Sequence, residues 1–121
     1  MTHDTHTREV CLLIGAADTV LWSDTSHSPV ALVDARTRWC AIWQHRASIV
    51  EIVHSHPLGG LHFSAEDETT MLALNSALTT APRYCVVTPD AVLRRTYHDE
   101  THEDHRVTPE PWWAALIRVR G

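Results

Sequence analysis

The chain has 121 residues, 44% of them hydrophobic and 21% charged, and a formal net charge of −5. That length supports one domain with a core of its own, with no need of disulfide staples. The negative balance, and basic residues that are all arginine and scattered, speak against a nucleic-acid backbone as the main partner.

No apolar run approaches the length of a membrane span. Met1 to Arg8 is polar and lacks the apolar stretch of a signal peptide. Cys11, Cys40 and Cys85 are an odd set without CxxC spacing, which reads as buried, reduced thiols. Together these features predict a cytoplasmic protein with no membrane association.

In chain order, residues 1–8 read as a flexible tail and residues 9–121 as a single domain. Glu9 to Ile14 is a short apolar run stopped by Gly15, with the length of a strand. Thr19 to Trp22 and Val30 to Val33, separated by the turn-rich Ser23–Pro29, extend it into a β-meander. Asp34 can cap a helix over Ala35 to Arg46, burying Trp39, Ile42 and Trp43 at helical spacing. The alternation of Trp39, Ala41 and Trp43 makes a strand the competing reading. Ser48 to His54 is β-rich, Gly59-Gly60 marks a loop, and Ser64 opens a helix to about Thr80. That helix carries Met71, Leu72, Leu74 and Leu78 on its apolar side. Arg83 to Val87 and Ala91 to Tyr97 make a last strand pair around a turn at Thr88-Pro89-Asp90. His98 to His105 is polar and reads as mobile. Pro109 to Val119 holds a short helix packed through Trp112, Trp113, Leu116 and Ile117. The expected fold is an α/β (α+β) layered structure with a central mixed β-sheet flanked by helices.

The densest chemistry lies in His54-Ser55-His56-Pro57, followed by Ser64 and Asp67. Histidines at i and i+2 project from one face of a strand. A glycine loop turns the chain back so that a helix N-terminus can present a carboxylate to them. Two imidazoles and one carboxylate leave a fourth position open, the pattern of a catalytic rather than a structural zinc site. Ser64 and Asp67 also have a structural explanation as a helix N-cap and an acidic N3 residue. Both roles are compatible, because capping need not consume both carboxylate oxygens.

The string His54-Ser-His56-Pro57 with Ser64-x-x-Asp67 resembles the JAMM motif of the MPN+ (prokaryotic JAB-domain) metalloproteases. The resemblance extends over nearly the whole chain in element order and implies the JAB/MPN-like, cytidine-deaminase-like layered fold. It implies Zn2+ held by His54, His56 and Asp67, with Ser64 stabilising the oxyanion and an upstream glutamate activating the attacking water. Glu9 is the first choice for that base, since it opens a run similar to the family's glutamate strand. Glu51 is the rival, but it faces away from the histidines if the strand is regular. Glu66 and Glu68 read as surface or dipole-complementing residues, and His62 as a solvated loop histidine. Phe63 stands where the family often has proline.

The implied activity is that of a zinc-dependent peptidase or isopeptidase. Its implied substrate is a ubiquitin-like or sulfur-carrier protein with a C-terminal Gly-Gly. A homodimer stays open. A non-catalytic MPN-type interaction scaffold is the alternative. A zinc nucleobase deaminase needs His-x-Glu and Pro-Cys-x-x-Cys; here His56 occupies the glutamate position and there is no CxxC. The HExxH helix of other zinc proteases is missing as well. The histidines and acids of residues 98–105 read as a flexible acidic segment rather than a second metal site.

Overall fold

The computed structural model of the chain describes residues 9–25 and 35–120. Strands β1 (Val10–Ile14), β2 (Val20–Thr25), β3 (Glu51–Ser55), β4 (Arg83–Val87), β5 (Val92–His98) and β6 (Thr101–Arg106) form one mixed sheet in the order β2-β1-β3-β4-β5-β6. Helices α1 (Ala35–Gln44), α2 (Ala65–Ala77) and α3 (Trp112–Arg120) complete the described elements. Only β3 and β4 run parallel, joined through α2 as a parallel pair requires; the other neighbours are antiparallel. This is the expected mixed sheet flanked by helices.

The pleat divides the sheet residues between two cores. Leu13, Ile52, Tyr84 and Val86 face Ala41 and Ile42 of α1 and Met71 and Leu74 of α2. Val10, Leu12, Ile14, Val53, Cys85 and Val87 face Trp113, Ala114 and Ile117 of α3. With helices on both faces, the central strands β1 and β4 are almost wholly buried, which explains their unbroken apolar runs. Trp112 and Trp113 donate their indole N–H groups to the backbone oxygen and carboxylate of Asp18, tying α3 to the β1–β2 turn. Among the described residues no helix is long and apolar enough to cross a membrane.

Several expectations need correction. Ser23 to Thr25 belongs to β2 and not to a turn, because these residues pair with Val10 to Leu12. The Val30–Val33 strand and the Asp34 cap lie outside the described residues, as does the tail at residues 1–8. The helix over Ala35 forms, but Trp39 and Trp43 are exposed; α1 meets the sheet through Ala41 and Ile42. Small Ala41 lets the helix approach closely, which two inward indoles would prevent. The Arg46 guanidinium stacks on the outer face of Trp43, 4.0 Å from the ring centroid. Cys40 and Leu72 are exposed too, and Trp112 keeps only its N–H anchored.

The polar stretch near His98–His105 is not a loose loop. Asp99 turns the chain with φ 58°, and Thr101 to Arg106 pairs along β5 as an edge strand. Every residue of β6 is exposed, so it carries no apolar alternation for a sequence reading to detect. Charged, polar side chains on an edge also discourage further strand pairing.

Candidate metal centre

The histidines stand at the end of β3, where its side chains face the α1–α2 layer. Their imidazole Nε2 atoms lie 3.1 Å apart, and Asp67 Oδ2 is 3.1 Å from that of His54 and 3.3 Å from that of His56. Ligands bonded tetrahedrally to zinc at about 2.0–2.1 Å are separated by roughly 3.3 Å. The three donors therefore already have the spacing that a divalent ion would impose. The His56 Nδ1 side faces the Gly60 carbonyl at 3.4 Å. With Nδ1–H donating there, the Nε2 lone pair is turned toward Asp67 and His54, as an outer partner of a metal-binding imidazole would arrange it. Among the described residues His54, His56 and Asp67 are the group able to hold a metal ion.

Asp67 arrives through the helix start. Ser64 is the N-cap of α2: its hydroxyl accepts from Asp67 N–H at 3.1 Å, and Asp67 Oδ2 accepts from Ser64 N–H at 2.8 Å. The cap and the approach to the histidines thus coexist, but through one oxygen, Oδ2, rather than divided between the two. Burial opposes ionisation of Asp67, but hydrogen bonds from His54, His56 and Ser64 outweigh it and hold the carboxyl well below its usual range. The same contact with Asp67 raises the pKa of His56. Because Ser64 Oγ accepts in the cap, its own O–H proton is available to a neighbour.

Behind this candidate ligand group, Phe63 is buried with its ring centroid 6.3 Å from that of His54. Arg95, itself only 4% exposed, lies over Phe63 and pairs with Glu68 of α2 and Asp104 of β6. Glu68 is thus not a free surface acid but fastens the first turn of α2 next to Asp67. Glu66 is exposed, as is His62, whose ring lies 6.2 Å from that of His56. Arg95 escaped the sequence reading because its partners are 27 and 9 residues away, and only sheet order brings them together.

The two candidate bases are separated by the pleat. β1 pairs with β3 as Cys11↔His54, Leu12↔Val53 and Leu13↔Ile52. Continuing this register sets Val10 opposite Ser55 and Glu9 opposite His56, on one face. Val10 N–H donates to Ser55 Oγ at 2.8 Å, so a side chain extends the pairing where the regular ladder stops. Glu9 lies just before β1 rather than within it, is half-buried, and lines one cavity with His54 and Asp67.

Glu51 occupies the opposite face. It is 1% exposed and accepts from Arg94 at 2.9 and 3.0 Å, from Arg83 at 3.2 Å and from the Cys85 thiol at 2.9 Å. Its carboxylate is fully engaged in the core on the α3 side. Glu51→Gln should lower unfolding free energy by about 3 kcal/mol, since it leaves the Arg94 charge without its partner. Urea denaturation would show this as an earlier midpoint at unchanged slope. The buried thiols do not offer a nucleophile: burial pushes Cys11 up to about 11 and Cys85 well above its ordinary value.

Comparison of the chain with protein-family models finds no match, and comparison with the curated proteins finds none either. The chemistry of the site rests on its own residues.

Proposed function

We propose that the protein is a zinc-dependent amide hydrolase of the JAMM type. The observation that carries this reading is the convergence of His54 Nε2, His56 Nε2 and Asp67 Oδ2 at 3.1–3.3 Å on the face shared with Glu9. The sequence resemblance to the JAB/MPN domain and the layered order of elements support it. Bound zinc would polarise the scissile carbonyl and lower the pKa of an attacking water toward about 7. Glu9 takes the proton from that water and returns it to the leaving amine. Ser64 O–H donates to the carbonyl oxygen as negative charge develops, while its Oγ still accepts from Asp67 N–H. Gly60, through His56, holds the ligand ring in the required tautomer.

The substrate that the sequence resemblance implies is a ubiquitin-like or sulfur-carrier protein cut after its C-terminal Gly-Gly. The test is cleavage of a diglycine-tailed carrier fused to a short peptide. Purified protein should bind one zinc per chain and release the peptide, and a chelator should abolish release until zinc is restored. A zinc-loaded chain that cleaves no such fusion would favour the non-catalytic scaffold.

A further inference from the structure

The candidate ligands come from two elements, and one element must be registered on the other. His54 lies in β3 and His56 just beyond it, tied to β4 by its N–H to the Val87 carbonyl at 2.8 Å. Asp67 lies in the first turn of α2. That turn has no buried apolar residue of its own, because the buried residues of the helix, Met71 and Leu74, begin a full turn beyond Asp67. The packing of α2 therefore leaves the height of Asp67 over the sheet to other contacts.

Arg95 supplies them. The strand registers set Ile52, Tyr84 and Arg95 in one row of the sheet, on the face that carries His54. Phe63 and Glu68 bracket the Ser64–Asp67 cap, and Arg95 touches both. Its guanidinium carbon is 4.8 Å from the centroid of the Phe63 ring, which itself stands beside His54. Its two terminal nitrogens pair with the two oxygens of Glu68, Nη2 at 3.1 Å. Glu68 N–H donates to the Ser64 carbonyl at 2.9 Å, so the residue that Arg95 grips also closes the capped turn. Asp104 of β6 steadies the guanidinium from the other side, accepting from Nε at 2.7 Å and Nη2 at 2.9 Å. A planar fork with five donors suits such a two-acid bridge, and a lysine does not.

We propose that Arg95 is a positioning residue of the candidate metal centre. By holding Phe63 and Glu68 it sets the first turn of α2 where Asp67 Oδ2 meets the two imidazoles. This rests on the metal centre of the hydrolase reading and not on cleavage. The two ways in which Arg95 can act on a metal have opposite signs. As a cation near the site of a dication, and as a mask over two acids, it opposes binding, so charge alone makes its removal tighten the site. As the group that preorganises the donors it favours binding, and its removal costs the roughly 10–100-fold that an outer partner is worth.

The test is the zinc affinity of the full chain, measured by competition with a chromogenic chelator well below the Tm, so that folded protein alone is read. Arg95→Met keeps an apolar stem over Phe63. The side chains of Glu68 and Asp104, 43% and 32% exposed, can then turn to water. The zinc Kd of this variant should rise at least about tenfold. Arg95→Lys keeps the charge but cannot span both acids, so its Kd should rise too, and it carries the test if the methionine variant does not fold. Glu51→Gln, on the opposite face, is the control: it loses stability, yet its folded fraction should bind zinc as the wild type does. Unchanged or tighter binding in a folded Arg95 variant would overturn the proposal. So would an equal rise in Kd for Glu51→Gln, since affinity would then merely follow stability. A wild type that takes up no zinc removes the metal-centre reading and this proposal with it. Weaker zinc binding in the Arg95 variants of a chain that cleaves nothing supports the positioning role and removes the hydrolase reading alone.

Discussion

His56→Ala and Asp67→Ala are both expected to abolish stoichiometric zinc binding, with affinity falling by more than the roughly 10–100-fold that loss of an outer partner costs. Each removes one of only three protein donors, and no neighbouring side chain among the described residues stands ready to replace it. The two variants should nevertheless differ when metal is absent. Asp67 also accepts from Ser64 N–H and completes the cap of α2. Its removal should lower the stability of the chelated protein by about 1 kcal/mol, the usual cost of a lost cap interaction. Asp67→Asn keeps an oxygen for that N–H, so it should lose zinc while keeping most of the cap. His56→Ala should leave the chelated protein nearly unchanged. Zinc should raise the unfolding free energy of the wild type by about 4 kcal/mol at a thousandfold excess over Kd, and should do nothing for these variants. Inductively measured zinc content and denaturation with and without chelator separate the outcomes. One zinc per chain in both alanine variants would move the ion elsewhere and remove the basis of the proposed chemistry.

What could be read beforehand depended on whether the signal was local. Arg83 to Val87 is a strand with the expected bounds because a fully buried strand is an unbroken apolar run between polar ends. Ser64 caps α2 as expected, since an N-cap is decided within one turn. The spacing of His54 and His56 survives because it depends only on the two-residue strand repeat. α1 was legible as a helix but not in its orientation. Counting hydrophobicity favours Trp39 and Trp43, whereas packing against a sheet favours the smaller Ala41 and Ile42. An indole has enough amphipathic character to stay outside, as the Arg46 stack on Trp43 shows.

β6 was hidden for a different reason: an edge strand with all its side chains exposed gets its order from the β5 ladder and from the Arg95–Asp104 pair. The buried ionic cluster around Glu51 was equally invisible, because its partners come from β4 and β5. A glutamate three residues before a candidate metal ligand is a rival base by proximity, and strand alternation alone already sets it on the other face. The pleat turns it into the opposite core.

That distinction makes Glu9→Gln the most informative single substitution for the chemistry. Glutamine preserves shape and hydrogen bonding but cannot take up a proton at neutral pH. Turnover should fall by about 10²–10⁴-fold, the usual contribution of a positioned general base. Zinc content should stay at one per chain, and KM should change little, because substrate and metal contacts remain. Glu51→Gln should show the inverse pattern: a less stable protein whose folded fraction turns over at the wild-type rate. The contrast follows from the register, which sets Glu9 opposite His56 and sends Glu51 to the face where Arg94 holds it. Ser55 offers a check on that register, since its hydroxyl holds Val10 N–H beyond the end of the regular ladder. Ser55→Ala should loosen the segment carrying Glu9 and lower turnover without loss of zinc. If Glu9→Gln retained full turnover while Glu51→Gln lost it in the folded protein, the base would lie on the other side of the sheet. The strand pairing that sets Glu9 beside the ligands would then be wrong as well.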